Sequence, residues 1–427
     1  MFDLLIRHAT LPDGQKNLTI GIQNGLITAV SPDAELATAL THDSLDAAGH
    51  LVSPAFVDAH FHLDSALRFG QPRPNASGTL LEGISIWGEL KPTLTQDSIV
   101  QTALGYCQWA VANGILAIRS HVDTSDPRLL TVEALLEVRS RVKPWLDLQL
   151  VAFPQDGVLR QPEALNNLKR ALAMGVEVVG GIPHFERTTE EGTRSIELLC
   201  TIAAEQGLCV DMHCDETDDP LSRHVETLAA QTVRLGLQGR VTGSHLTSMH
   251  SMDNSYASKL IALMAEAELS VIANPLINVT LQGRHDTYPK RRGVTRVPEL
   301  MQAGLDVAFG QDCVLDPWYG LGSADMLEVA HMGLHLTQMT SQAGIQACFE
   351  AITRNPAKIL GLENYGLERG CQANLVVLQA KTPMDAIRLR ANRLAVIRQG
   401  RVIARTPERK ALLNWGEDVI AVDWLLK

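Results

Sequence analysis

Leu51-Val-Ser-Pro-Ala-Phe-Val-Asp-Ala-His-Phe-His62 decides how the rest of the chain is read. It starts as an apolar run, the pattern of a strand covered on both faces. It ends on His60 and His62, two residues apart. Side chains at i and i+2 of a strand point to the same side, so both imidazoles can reach one metal ion from a rigid edge. His-x-His alone is not specific, because paired core or surface histidines are common. Three later segments add to it: His213-Cys-Asp-Glu216, Ser244-His245 and Gly310-Gln-Asp312. Each closes an apolar run. Together they supply a third histidine, an acid/base pair and a carboxylate.

Outward from this stretch, apolar runs alternate with helical patterns as far as Leu367. The expected strands are Leu51–Ala59, Ile115–His121, Leu148–Phe153, Val176–Ile182, Cys209–His213, Val241–His245, Leu269–Ala273 and Asp306–Gly310. Helical patterns between them include Leu129–Val142, Pro162–Met174, Ser195–Gln206 and Ser258–Ala267. Eight strands alternating with helices predict an α/β fold, a (β/α)8 TIM barrel. The chemical residues fall at C-terminal strand ends, where such barrels build active sites. A doubly wound open sheet is the competing architecture, and the strand count speaks against it. The chain ends read differently. Asp3–Ala9, Leu18–Gln23 and Leu26–Val30 are short strands, with Asn24-Gly25 as a hairpin turn because both residues tolerate positive φ. Ala373–Leu378, Leu394–Arg398 and Val402–Ala404 repeat the pattern around Gln399-Gly400-Arg401. Residues 1–50 and 368–427 are therefore expected to build one small β-sandwich domain, with the barrel, 51–367, inserted between them.

Composition bounds the function. The chain has 427 residues, 45% hydrophobic and 20% charged, enough for a large core plus a smaller unit. A net charge of −11 argues against nucleic acid as a partner and fits an enzyme acting on a small neutral molecule. No apolar stretch approaches the roughly 18 residues of a membrane span, so no membrane partner is expected. Met1-Phe-Asp-Leu-Leu-Ile-Arg7 lacks the basic-then-apolar pattern of a signal peptide. Seven cysteines without CxxC spacing read as reduced thiols of a cytoplasmic protein.

His60, His62, His213 and Asp312 form a candidate single-metal site. Three imidazoles and a carboxylate suit Zn2+ or Fe2+ with room for a water. Taken alone, His213 reads better as a satisfied core histidine. No lysine ends the fourth expected strand, where a carbamylated lysine could bridge two metals, so one ion is expected although His184 is near. Such a site makes hydroxide near neutral pH and needs a base. Glu216, three residues after His213, can lie beside the metal without binding it, and His245 can share the proton traffic. The run Asp215-Glu216-Thr217-Asp218-Asp219 also fits an ordinary solvated loop.

These residues resemble the amidohydrolase superfamily, and specifically its bacterial cytosine deaminases. The resemblance covers nearly the whole chain. It is densest in Gly78-Thr-Leu-Leu-Glu-Gly83, Val151-Ala-Phe-Pro-Gln155, Gly181-Ile-Pro-His-Phe-Glu186, Leu281-Gln-Gly-Arg284, Asp286-Thr-Tyr-Pro-Lys-Arg-Arg-Gly293 and Asp316-Pro-Trp-Tyr319. It implies that His60, His62, His213 and Asp312 hold one divalent metal ion, Zn2+ or Fe2+. It implies that Glu216 shuttles a proton to the ring nitrogen, and that His245, helped by Asp312, positions and deprotonates the water. Gln155 would read the amide edge of a pyrimidine substrate, offering a donor and an acceptor. Trp318 would pack along the ring and Phe153 would help wall the pocket. Hydroxide would attack C4 and ammonia would leave. The family also implies a homo-oligomer, and the Gly- and Pro-containing loops Gly70–Trp87 and Leu281–Gly293 could close as lids. The scaffold differs from zinc deaminases carrying H-x-E and P-C-x-x-C: His184-Phe-Glu186 and His224-Val-Glu226 match the first half, and nothing completes it.

One departure concerns substrate choice. Where the family reads Gly-His-Asp-Asp, this chain reads Gly310-Gln311-Asp312-Cys313. A carboxylate at 313 would disfavour an apolar ring substituent, because it would have to be desolvated. Cysteine behaves as a small hydrophobe. Cys313 is therefore expected to open room for a C5 substituent, as in 5-methylcytosine. The competing reading is a neutral exchange with cytosine still preferred. Two further alternatives are deamination of another cyclic amidine, such as isoguanine or creatinine, and an inactive barrel serving as a binding protein. The complete set of six metal and acid/base residues disfavours the last.

Overall fold

A computed structural model describes residues 1–416 and 418–425. Eight parallel strands pair strictly with their sequence neighbours: β1 Phe56–Phe61, β2 Ile115–Asp123, β3 Asp147–Phe153, β4 Val178–Gly181, β5 Cys209–Cys214, β6 Val241–His245, β7 Ser270–Ala273 and β8 Val307–Phe309. Each residue of β1 and β2 is buried, as a strand covered on both faces requires. Helices such as Leu130–Val142, Thr189–Gln206 and His224–Leu235 form the outer layer. The (β/α)8 barrel expected from the alternation is the observed fold.

The closing seam lies where the chemistry is. Phe61 bridges Asp312 in parallel register. His62 N–H donates to the Asp312 carbonyl at 3.2 Å, and Asp312 N–H donates to the His60 carbonyl at 2.9 Å. The first and last strands are thus joined by the backbone of three candidate ligands.

The expected strand Leu51–Ala59 is two strands. Leu51–Pro54 pairs antiparallel with Leu375–Leu378, and the barrel strand starts only at Phe56. Proline lacks an N–H, so Pro54 ends one ladder, and Ala55 N–H donates to Asn374 O at 2.9 Å as the chain crosses over. The terminal sheets are Leu26–Pro32, Leu18–Gln23, Phe2–Ala9 and Thr41–Asp46, the last pair parallel, and Arg401–Arg405, Arg393–Arg398, Leu375–Leu378 and Leu51–Pro54, all antiparallel. Ile6, Ile20 and Ile27 of the first share a core with Val52, Leu375 and Ile397 of the second, making a small sandwich from both termini. Asn24 and Gly25 take φ of 53° and 75°, the left-handed turn their sequence implies. Ala411–Trp415 and Asp418–Val422, not expected from the sequence, form a separate two-stranded sheet. All seven cysteines are free. No helix among the described residues is long and apolar enough to cross a membrane.

Candidate active site

Each chemical residue stands at or just past the C-terminal end of a barrel strand. His60 lies in β1 and His62 directly behind it; His213 lies in β5, His245 ends β6, and Asp312 follows β8. Asp215, His245 and Asp312 have φ of 52°, 72° and 64°. Left-handed backbone at a non-glycine residue costs about 1–3 kcal/mol and persists where its surroundings over-determine it, commonly at functional sites.

The donors converge. His60 Nε2 and His62 Nε2 lie 3.2 and 3.3 Å from Asp312 Oδ1. His62 Nε2 lies 3.0 Å from His213 Nε2. Ligand atoms of His60, His213, His245 and Asp312 all fall within 4.8 Å of one another, as do those of His60, His62 and His121. The expected set of His60, His62, His213 and Asp312 is therefore brought together, with His245 and His121 in the same cluster. His60 Nε2 and His213 Nδ1 are buried without a hydrogen-bond partner. Buried polar atoms are normally satisfied, so unpaired imidazole nitrogens around a carboxylate fit a cation. Burial and the surrounding imidazoles push His213 well below the usual histidine range. Burial opposes ionisation of Asp312, yet His60 and His62 hold its carboxyl well below the carboxylate range.

A cavity of about 1060 Å³ opens onto this cluster. Its wall includes Gln155, Glu216, His245, Cys313 and Trp318. Glu216 is 6% exposed, and its Oε1 lies 3.4 Å from His245 Nδ1. It is not a solvated loop residue. Burial, then the Asp312 carboxylate, pushes its carboxyl well above the usual range. Trp318 sits in a turn held by Asp316, whose Oδ1 accepts from Trp318 N at 2.9 Å and Tyr319 N at 2.8 Å. A Cβ at Gly83 would collide with the Trp318 indole, so that glycine lets the helix Leu80–Leu90 press against it. Phe153 was expected on the pocket wall. It is fully buried instead and stacks on His213, ring centroids 4.1 Å apart, so it backs a candidate ligand. Gln311 is also fully buried; its Oε1 accepts from Asp325 N at 3.3 Å, at the start of the helix Met326–Thr337. The two expected lid loops meet at the mouth, where Arg284 Nη1 donates to Ser77 O at 3.4 Å.

Several residues escaped the sequence reading. His121 of β2 is fully buried, 4.2 Å from His60 between ring centroids. Its signal was present, since it ends an expected strand as His213 does. Asn278 Nδ2 reaches His245 Nδ1 at 2.9 Å, and Asn274 approaches the same ring at 3.3 Å. Arg119 and Asp211, paired at 2.9 Å inside the barrel, carry no local motif.

Known proteins are similar to this chain over nearly its whole length. The amidohydrolase family pattern matches residues 43–404. The chain is 40% identical to the 5-methylcytosine deaminase from Klebsiella pneumoniae, whose crystal structure holds 5-fluorocytosine; the match covers 97% of this chain and 100% of that one, with a TM-score of 0.93. The N-isopropylammelide isopropylaminohydrolase structure from Burkholderia multivorans is 27% identical over 95% of this chain and 99% of that one, with a TM-score of 0.83. The pterin deaminase of Rhizobium rhizogenes is 29% identical over 92% of this chain and 89% of its own length. The chain belongs to the amidohydrolase family and is a hydrolase acting on C–N bonds.

Proposed function

We propose that this chain hydrolytically deaminates a cytosine-type aminopyrimidine and favours 5-methylcytosine over cytosine. The observation that carries the reading is one cavity walled by Gln155, Glu216, His245, Asp312, Cys313 and Trp318, in a chain 40% identical over 97% of its length to a 5-methylcytosine deaminase.

His60, His62, His213 and Asp312 would hold one divalent ion, Zn2+ or Fe2+. Bound there, such an ion supplies Lewis acidity and lowers the pKa of water towards neutrality. The chain's own groups do the rest. Gln155 offers its amide donor and acceptor to the amide edge of the ring and so fixes the pyrimidine's orientation. Trp318 covers a flank of the ring. His245, steadied by Asn278, takes a proton from the attacking water with Asp312 assisting. Glu216 delivers a proton to the ring nitrogen next to C4, so that C4 becomes tetrahedral without charge building on the ring. Collapse forms the C4 carbonyl as the C4 hydroxyl returns a proton to Glu216, breaks the C4–N bond and expels the amine as ammonia, its extra proton being the one His245 and Asp312 took from the water.

The test is ammonia release by purified, metal-loaded protein, with cytosine and 5-methylcytosine side by side and Glu216→Gln as the control. Turnover favouring 5-methylcytosine, with kcat lowered at least about 100-fold in the variant, is expected. Turnover favouring cytosine would retain the mechanism and discard the preference. No ammonia from either base would discard the pyrimidine. A second reading, a larger cyclic amidine, is favoured by the cavity volume of about 1060 Å³ and by the pterin deaminase relative; adding a pterin to the same assay separates the two.

A further inference from the structure

Beneath the histidine cluster runs a line of buried polar groups that never reaches the cavity. Arg119 donates from Nη1 to Asp211 Oδ2 at 2.9 Å, from Nε to Gln149 Oε1 at 2.7 Å and from Nη2 to Ile359 O at 3.0 Å. Arg119 is 1% exposed and Asp211 0%. Ser244 donates its hydroxyl to Asp211 Oδ1 at 2.7 Å. His60 Nδ1 lies 2.9 Å from Ser244 Oγ.

Chemistry sets the direction of each bond. A guanidinium only donates, and the carboxylate it pairs with only accepts. The single Ser244 proton therefore points at Asp211, which leaves Ser244 Oγ only an acceptor role towards His60. A neutral His60 must then carry its proton on Nδ1. Its lone pair is on Nε2, the nitrogen that lies 3.2 Å from Asp312 Oδ1 without a hydrogen-bond partner. We propose that Asp211 is a positioning residue which, through Ser244, fixes His60 in the tautomer that can ligate the metal. This rests on the reading of His60 as a metal ligand. Partners of this kind characteristically fix the tautomer and ring orientation of metal-binding histidines.

The relay makes an unusual prediction about its variants. Ser244→Ala removes the acceptor and leaves both tautomers of His60 accessible, so Zn2+ affinity should fall about 10- to 100-fold. Asp211→Asn should do worse. Its carbonyl stays on Arg119, so its amide NH2 faces Ser244 and turns the serine proton towards His60 Nδ1. The His60 proton then moves to Nε2 and blocks the ligating atom. Adding Ser244→Ala to Asp211→Asn removes the wrongly turned hydroxyl and should restore affinity to that of Ser244→Ala alone. Damaged packing cannot produce such a rescue.

The measurement is Zn2+ affinity of metal-stripped full-length protein, by competition with a chelating dye, alongside thermal melting of the metal-free forms. The expected order is wild type, then Ser244→Ala together with the double variant, then Asp211→Asn. If wild type binds one equivalent of Zn2+ and Asp211→Asn binds it as tightly, the relay is overturned while the metal reading stands. A double variant weaker than Asp211→Asn overturns it too. Failure of the wild type to bind Zn2+ overturns the metal reading and the relay with it. Should Asp211→Asn not fold, Ser244→Ala is set against Ser244→Thr, which keeps the hydroxyl. Full affinity for threonine and loss for alanine supports the relay; equal affinities overturn it.

Discussion

Cys313 is 4% exposed, lies next to Asp312 in the chain and lines the cavity. A carboxylate at this position would stand beside the Asp312 carboxylate and demand solvation that a methylated ring takes away. A thiol makes no such demand; burial, then Asp312, pushes its pKa well above the usual thiol range, so it stays neutral and acts as an apolar wall. Cys313→Asp should therefore lower the ratio of kcat/KM for 5-methylcytosine to that for cytosine. The methyl alone is worth about 0.8 kcal/mol, roughly fourfold, and the desolvated carboxylate adds to it. Steady-state kinetics with both bases checks this, and an unchanged ratio would sink the assignment. At this scale, what could be read from the sequence was what local pattern carries. His60 and His62 announce themselves by spacing, and Glu216 by its distance from His213. Arg119 and Asp211 could not be read this way, because they meet only once β2 and β5 face each other across the barrel interior, 92 residues apart in sequence. Phe153 was found, but not its place: whether an aromatic walls a pocket or backs a ligand depends on which way the strand end turns.

Among the elements, periodicity located all eight barrel strands, and the errors fell at ends. The helices expected from Ser195 and Ser258 begin at Thr189 and Asn254, because Thr188 and Asp253 cap them by accepting from Glu191 N and Tyr256 N. Leu51–Pro54 reads as barrel because it is apolar like the barrel strand after it; its partner, Leu375–Leu378, is more than 300 residues away. The turn Asp316–Tyr319 shows what a short element contributes. Asp316 accepts two backbone N–H bonds that place Trp318, and burial raises its pKa to about 7. In the unfolded chain that carboxyl titrates near 4. The folded state thus keeps a proton that the unfolded state loses. Its contribution to stability is complete below about pH 4 and is lost as pH rises towards about 7, with a slope of up to about 1.4 kcal/mol per pH unit. Asp316→Asn retains an acceptor oxygen and does not titrate. Compared with wild type, the variant should gain stability from pH 5 to pH 7, as followed by urea unfolding. A stability difference that is flat across that range would show that Asp316 is ionised in the native protein.

Over the whole molecule, the barrel separates chemistry from bracing. The histidine and carboxylate cluster, the cavity and both mouth loops occupy the C-terminal ends of the strands. The terminal sandwich reaches the opposite end, where β3 starts at Asp147. There Arg398, 4% exposed, forks onto that carboxylate with bonds of 3.0 and 2.8 Å. Such a pair ties the sandwich strand Arg393–Arg398 to the barrel without touching the site, and residues at that end of a barrel serve stability rather than catalysis. Arg398→Ala removes two charge-assisted hydrogen bonds and leaves Asp147, which is half exposed, solvated. The expected cost is about 2 kcal/mol of folding stability, read as a lower urea midpoint, with kcat/KM per folded molecule unchanged. If activity fell in step with stability under conditions where the variant is fully folded, the sandwich would be acting on the active site through the barrel, and the division between brace and site would fail.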